Sequence, residues 1–164
     1  LIAFWPGVVP ENTITDRMVH GIDFYPTLLE LAGNTWLPPA KKHPLDGESF
    51  AKFLLNPQSQ GKRSPIFYLF PGYMDVRAQP CVVTIDEIEG ERYKLIYFYE
   101  ADEWELYNLT DDIGEKTNLA KDMPIVSASL SKKIKVWLSQ KHPTWQPKYP
   151  ISKKSGTPVL PRFL

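Results

Sequence analysis

The feature that most constrains this chain is the stretch 92–119, in which two aromatic-rich runs flank a short polar link. Residues 93–100 are dense in aromatic and branched side chains, which suit a pleated, half-buried surface. One face of this strand would carry Lys94, Ile96 and Phe98, and the other face Tyr93, Leu95, Tyr97 and Tyr99. Residues 104–109 resume the apolar pattern after the link at 101–103. Two such runs joined by a short polar link predict a β-hairpin.

An acidic turn is predicted directly after the hairpin, at residues 110–114. Aspartate side chains accept hydrogen bonds from nearby backbone in turns, and Gly114 can adopt a positive φ without steric cost. Asn118 and Leu119 follow this turn, and we expect the pair to dock against the hairpin.

Three short blocks in this region follow a characteristic order: Y-K-L-I-Y at 93–97, E-L-Y-N-L at 105–109 and D-D-I-G-E-K-T-N-L-A at 111–120. Their order and spacing resemble the C-terminal subdomain of the formylglycine-dependent sulfatases, the arylsulfatase family of the alkaline phosphatase superfamily. The usual wording in that family is close to W/Y-K-L-I, E-L-Y-D/N-L, D-P/I-G-E and N-L-A. The resemblance implies a bacterial-type sulfatase.

The first fifty residues carry a second resemblance, to the closing strand and helix of the sulfatase catalytic domain. The blocks are A-F-W-P-G at 3–7, H-G-I-D-F-Y-P-T-L-L-E-L-A-G at 20–33 and L-D-G-E-S-F at 45–50. Residues 1–5 read as a fully buried strand. A helix is predicted through Ala32, with Asp23 as its N-cap and Gly33 just past its end. Its buried side would carry Leu28, Leu29, Leu31 and Ala32.

The resemblance implies an α/β fold overall, in three parts. Residues 1–58 would form the C-terminal edge of the sulfatase catalytic domain, with one strand and one helix. Residues 59–142 would form the C-terminal sulfatase subdomain, an α+β unit with a small antiparallel sheet packed on a C-terminal helix. Residues 143–164 are rich in proline and would form an extended tail.

Within the second part, strands are predicted at 66–70 and 82–85, with an acidic turn at 86–91. A helix is predicted to begin at Pro124 with Asp122 as its cap. Apolar residues recur every four positions along this helix and would lie against the hairpin with Trp137 beside them. The members of this stripe are Val126, Leu130, Ile134 and Leu138.

Composition excludes several classes of partner. The 19 Lys and Arg residues balance 19 Asp and Glu residues, so no global field argues for nucleic acid. No apolar run approaches the length of a membrane span. The 164 residues open on an apolar run without an initiator methionine or a charged leader. We therefore expect this chain to be the C-terminal part of a longer protein.

The chemistry that the resemblance implies needs groups that this sequence lacks. The family nucleophile is a formylglycine made from Cys or Ser in C/S-x-P-x-R, and Ca²⁺ polarises the sulfate oxygens. The single cysteine, Cys81, is followed by Val-Val-Thr and is predicted to be a small strand residue. We expect the nucleophile and the Ca²⁺ ligands upstream of residue 1, and no cofactor bound by this segment.

His20 is the first of three candidate substrate-binding residues. It lies in the linker before the first helix and forms a trio with Asp16 and Asp23 at one-turn spacing. The alternative is that Asp23 caps the helix, Asp16 is solvated and His20 bonds locally.

The other two candidates, Tyr73 and Arg77, lie on the loop 69–77. In many bacterial sulfatases the corresponding loop carries histidines, where this chain has Leu69 and Gly72. The Arg77 guanidinium could grip a sulfate or a sugar carboxylate with two parallel hydrogen bonds. A solvated arginine on a mobile loop is the alternative.

Three functions stay open on the sequence alone. The first is the C-terminal part of a sulfate ester hydrolase, acting together with the N-terminal catalytic part of the same protein on a sulfate ester such as a sulfated carbohydrate. The second is a related phosphodiesterase or phosphatase. The third is a stand-alone module that binds carbohydrate or protein through its aromatic residues. The family resemblance implies a periplasmic or extracellular location.

Overall fold

The computed structural model describes residues 1–33, 45–73, 79–140, 149–159 and 161–162. The chain divides into two compact units, Leu1–Ser64 and Pro65–Leu164. The boundaries predicted at 58/59 and 142/143 stay predictions. None of the helices in the described ranges has the length and apolar character that a membrane span requires.

The N-terminal unit holds two short helices, α1 at Phe24–Leu31 and α2 at Ala51–Leu55. A 3₁₀ turn, Gly21–Asp23, leads directly into α1. Gly33 has a φ of 72°, which only glycine adopts at little cost, and its amide donates to the Glu30 carbonyl at 3.0 Å. The predicted helix and its glycine stop are therefore confirmed.

The buried strand predicted at residues 1–5 is wrong. The described part of the N-terminal unit contains no strand, and the first residues are exposed, with Ile2 at 94% and Phe4 at 85%. A strand forms only where a neighbouring strand accepts and donates its backbone hydrogen bonds, and no described residue of this unit offers one. The segment is apolar, but its side chains are exposed rather than buried.

The predicted buried side of α1 is also wrong. Leu28 is 62% exposed, whereas Pro26 and Thr27 are buried. The Thr27 hydroxyl donates to the Asp23 carbonyl at 2.6 Å and accepts from the Phe50 amide at 3.0 Å. Because this hydroxyl binds the segment before α2, the helix buries its proline–threonine face, whereas Leu28 is exposed and Leu29 and Leu31 are half-buried.

The C-terminal unit is a four-stranded antiparallel sheet in the order β1-β2-β3-β4. The strands are β1 at Ile66–Phe70, β2 at Cys81–Ile88, β3 at Glu91–Phe98 and β4 at Glu103–Asn108. The predicted hairpin is β3 and β4, paired from Tyr93 opposite Asn108 to Phe98 opposite Glu103. This confirms the central prediction of the sequence.

The two faces of β3 also separate as predicted. Tyr93, Leu95, Tyr97 and Tyr99 join the main core, whereas Ile96 and Phe98 join a second cluster on the other face. Helix α3, Pro124–Ser139, covers the first face through its stripe of Leu130, Ile134 and Leu138. Trp137 is half-buried and packs against the same core, and its ring stacks on Phe67 of β1 at 5.0 Å between centroids.

The acidic turn predicted at 86–91 is shorter than expected, because β2 continues to Ile88. Only Glu89 and Gly90 form the turn, with φ of 53° and 86°, as a two-residue hairpin with two positive φ values requires. Asp86 is therefore a strand residue, 1% exposed in its side chain, and it forms an ion pair with Lys133 of α3. Because the lysine compensates the buried carboxylate, an acidic residue is tolerated at this position.

The segment after the hairpin docks as predicted. The Asn118 side chain accepts from the Leu106 amide at 3.0 Å, and the Leu119 amide donates to the Leu106 carbonyl at 2.8 Å. Asp112 accepts from two backbone amides in the turn before it. The positive φ predicted for Gly114 is wrong. In this turn Glu115 has the positive φ, at 52°.

Two further predictions differ from the structure. Asp122 does not cap α3: the N-cap is Met123 and makes no side-chain bond. Pro124 has no N–H to satisfy, so this terminus needs less capping. The described part of the predicted extended tail contains a small hairpin, since the Val159 amide donates to the Pro150 carbonyl at 2.8 Å. Tyr149 and Val159 pack it against the main core.

Candidate functional site

His20 stands at the start of the 3₁₀ turn and is half-buried. Its Nδ1 accepts from the Ile22 amide at 3.3 Å, and its own amide donates to the Asp23 carboxylate at 2.8 Å. The local bonding of the alternative interpretation is therefore present.

Asp23 is the centre of the N-terminal unit. Its side chain is 1% exposed. Both carboxylate oxygens accept hydrogen bonds from Arg63: Oδ1 from Nη2 at 2.6 Å and Oδ2 from Nε at 2.9 Å. The Glu48 amide donates to Oδ1 at 2.9 Å. Asp23 is at the N-cap position of α1, but its side chain makes no cap bond to that helix. It joins three distant segments instead.

Burial alone would raise the pKa of Asp23, but the hydrogen bonds from Arg63 and from the Glu48 and His20 amides outweigh it. The pKa of this carboxyl is therefore lowered from 3.8. Its ionised form is the stable one in the folded protein, as expected for a carboxylate paired with a guanidinium.

Gly47 explains the L-D-G-E-S-F block. A Cβ at this position would lie 2.0 Å from the Ile22 carbonyl oxygen, so only glycine allows the two backbones to meet. Two residues on, the Ser49 hydroxyl accepts from the Ala51 amide at the start of α2. The block is thus a backbone contact to the His20–Asp23 segment followed by a helix start.

The trio of Asp16, His20 and Asp23 does not form a metal site. Asp16 is exposed, and the Asp23 carboxylate binds Arg63. No group of three or more His, Cys, Asp and Glu side chains that could hold a metal ion exists among the described residues.

Tyr73 lies in the other unit, in a cluster with the tail. Its hydroxyl accepts from the Lys153 amide at 3.3 Å, and the Lys153 ammonium lies 4.2 Å from the centroid of the ring. Burial and a hydrogen bond to Glu100 raise the pKa of Tyr73 above 10.0. The same hydrogen bond is the largest contribution that lowers the pKa of Glu100. The cluster fixes one end of the β1–β2 loop to the tail hairpin. Arg77 lies outside the described residues.

Cys81 is the first residue of β2 and is half-buried. Burial raises the pKa of its thiol, although Lys94 acts in the opposite direction. A raised pKa keeps the thiol protonated and unreactive. The interpretation of Cys81 as a strand residue agrees with its place in the sheet.

Sequence reasoning missed Arg63 and the pair of Glu100 and Lys153. Arg63 lies 40 positions from Asp23 in a polar linker, and no local pattern marks an ion pair across such a distance. Lys153 lies in the stretch predicted to be an extended tail. The sequence alone does not single out which lysine or arginine pairs with Asp23.

Comparison with known proteins agrees with the sheet-and-helix architecture. A family model described as "N-sulphoglucosamine sulphohydrolase, C-terminal" matches residues 1–142. The chain belongs to this sulfatase family. A sulfatase from Formosa agariphila is 41% identical over 146 residues, which cover 84% of this chain and 26% of that protein. This sulfatase chain therefore spans about a quarter of the length of that relative, and it corresponds to the C-terminal part of a sulfatase.

Two solved structures share the fold of this sulfatase chain. A putative sulfatase from Bacteroides thetaiotaomicron VPI-5482 matches with a TM-score of 0.55 and 24% identity, over 71% of this chain and 24% of that one. A 2-O GAG sulfatase matches with a TM-score of 0.52 and 24% identity, over the same shares of the two chains. The α/β fold with its four-stranded antiparallel sheet and C-terminal helix is that of sulfatases.

Proposed function

We propose that the protein containing this chain hydrolyses sulfate esters, with sulfated carbohydrates as the substrate class. The observation that carries the proposal is the family match over residues 1–142, supported by the 41% identical sulfatase. A structural neighbour that acts as a 2-O GAG sulfatase supports the carbohydrate class. The formylglycine nucleophile and the calcium ion implied by the family resemblance belong to this proposal.

The exposed apolar surface of the N-terminal unit supports the proposal that this unit contacts another part of the same protein. A cavity of about 740 Å³ opens in this unit, lined by the first residues of the chain together with Ile14, Phe50 and Phe53. Ile2 and Ile14 are 94% and 98% exposed. Contiguous apolar surface of this kind marks an interaction site. We assign it to contact with the remainder of the sulfatase catalytic domain.

The chain itself supplies structure and part of the substrate rim in this proposal. The β1–β2 loop carries Arg77, and Tyr73 at its start is held by Lys153 and Glu100. Loops presented by a rigid sheet are where binding residues collect. His20, at the start of the 3₁₀ turn, is the candidate in the N-terminal unit.

The purified 164-residue chain is expected to hydrolyse no aryl sulfate. It lacks the C/S-x-P-x-R block, and its described residues hold no metal-binding group. The measurement is release of nitrophenol from 4-nitrophenyl sulfate, compared with a heat-treated sample of the same chain. Turnover above that background would contradict the assignment of the catalytic groups to another part of the protein.

Replacing Arg77 with alanine in the complete protein is expected to raise KM for a sulfated oligosaccharide roughly tenfold, the loss of one charge-assisted contact. The kcat/KM for 4-nitrophenyl sulfate should stay unchanged, because that small substrate does not reach the rim. Lys62→Ala, an exposed cation of the N-terminal unit, is the control. Equal kinetics of the Arg77 variant and the parent on both substrates would remove Arg77 from the rim.

A further inference from the structure

The C-terminal unit has a pronounced division of charge along its sequence. Residues 65–115, which contain the four strands, carry twelve Asp and Glu residues against three Lys and Arg residues. Residues 116–164, which contain α3 and the tail, carry ten Lys and Arg residues against a single aspartate. The zero net charge of the whole chain hides this division.

The fold places the basic residues of α3 and of the tail hairpin on one side of the sheet. Helix α3 and the described tail segment 149–159 pack on the same sheet face, since both contribute to the main core. Two cations of this half pair with acidic residues of the other half: Lys133 binds Asp86 of β2, and Arg162 binds Asp102 of the β3–β4 turn at 3.0 Å. We call the other described lysines of α3 and of the tail hairpin the basic layer. They are all exposed: Lys132, Lys135, Lys153 and Lys154.

The outer face of α3 shows how the layer could receive a ligand. Lys132 and Lys135 are three residues apart and therefore neighbours on the helix surface. Helix α3 contains no acidic residue, and the exposed positions beside these lysines include the short side chains of Ser129 and Ser139. No ion pair to Lys132 or Lys135 exists within the described residues. A chain of anionic groups could approach both ammonium groups without meeting a carboxylate on this helix.

We propose that the basic layer of the C-terminal unit binds a sulfated polysaccharide chain by charge. The choice of polyanion rests on the proposed function, since a protein acting on sulfated carbohydrate meets this polymer. Single-stranded nucleic acid is disfavoured, because its binding sites add aromatic rings on which bases stack. Among the described residues of α3 and the tail hairpin, Trp137 stacks on Phe67, and the basic layer has no exposed aromatic ring beside Lys132 and Lys135.

Binding of this kind is electrostatic and weakens as salt rises, because bound lysines release counterions from the polymer. The test measures binding of the 164-residue chain to dextran sulfate at several salt concentrations, with unsulfated dextran and a poly(A) RNA as comparison polymers. The double substitution K132Q/K135Q removes two charges from α3. The matched control, K52Q/K62Q, removes two exposed charges from the N-terminal unit. Circular dichroism establishes that each variant is folded.

K132Q/K135Q is expected to weaken binding to dextran sulfate roughly tenfold at low salt and to reduce the salt dependence. K153Q/K154Q should weaken it as well, whereas the control should change it less than twofold. An equal loss in the control and test pairs, or poly(A) RNA binding as tight as dextran sulfate, would overturn the proposal. The proposed function is tested separately by sulfate release, so a complete protein that is active but lacks this binding rejects the basic layer alone.

Discussion

Replacing Asp23 with alanine is expected to lower the free energy of unfolding of the N-terminal unit by about 3–5 kcal/mol, the typical cost of removing one partner of a buried ion pair. The substitution leaves the Arg63 guanidinium, 9% exposed, without its carboxylate. The amides of His20 and Glu48 lose their acceptor as well. The remaining links between these segments include the Thr27 hydroxyl, the Ser64 amide bond to Glu48 at 3.2 Å and the contact of Gly47 with Ile22.

The measurement is urea unfolding followed by far-UV circular dichroism, with hydrogen exchange of the peptides covering α1 and α2. Glu30→Ala is the matched control, because Glu30 is an exposed acidic residue of α1. It should change stability by less than about 0.5 kcal/mol, as surface substitutions usually do. Unchanged stability and exchange in the Asp23 variant would show that the Asp23–Arg63 pair does not hold this unit.

Asp23 also gives the unit a pH dependence of known sign. Its pKa in the folded protein is lowered from 3.8, so the ionised carboxylate stabilises the fold at and above neutral pH. This contribution is present above 3.8 and is lost as pH falls through the lowered folded value. Asp23→Asn should therefore unfold with a flatter dependence on pH below that point than the parent.

Leu130→Ala is expected to lower the free energy of unfolding of the C-terminal unit by about 2–5 kcal/mol, the range of large-to-small substitutions in cores. Leu130 is fully buried between α3 and the sheet, in one cluster with Leu95, Tyr97 and Leu106. The side chain is removed from the middle of the stripe that docks the helix, so the cavity cannot open to solvent at an edge.

Ile125→Ala is the control for this substitution. Ile125 is on the same helix and is 84% exposed, so its loss removes an apolar side chain without making a cavity. Urea unfolding should be followed by tryptophan fluorescence, because Trp137 stacks on Phe67 across the helix–sheet contact. Equal midpoints for the two variants would mean that α3 does not dock through this stripe.

The C-terminal unit was largely predictable because its signals are local. The alternation along 93–99 assigned each side chain of β3 to the correct face, and the spacing of Leu130, Ile134 and Leu138 predicted the docking face of α3. The hairpin, the docked Asn118 and the start of α3 at Pro124 agree with the structure for the same reason. Each depends on residues close in the sequence.

The N-terminal unit was less predictable because its buried side chains bind residues that are distant in the sequence. Helix α1 exists where the sequence places it, but the bond from Phe50 to Thr27, 23 positions away, decides which face is buried. The apolar run at 1–5 predicts a strand only if another strand lies beside it. Asp23 resembles a helix cap until Arg63 is known to reach it.

The candidate site follows the same division. His20 could be singled out from the sequence, and its Nδ1 contact with Ile22 is local. The bonds of Tyr73 with Lys153, 80 positions away, could not be predicted, because no local pattern links the β1–β2 loop to the tail. Substrate binding by His20, Tyr73 and Arg77 stays a prediction.

The most direct test of the central claim compares sulfate and phosphate release by the complete protein of which this chain is the C-terminal part. Purified protein is incubated with a sulfated oligosaccharide, 4-nitrophenyl sulfate, and the corresponding phosphate monoester and diester, and the inorganic products are measured. A sulfatase is expected to release sulfate with a kcat/KM at least about a hundredfold above that for either phosphate ester, a difference of roughly 2.7 kcal/mol in transition-state binding. Faster phosphate release, or no release of sulfate from any ester, would contradict the account.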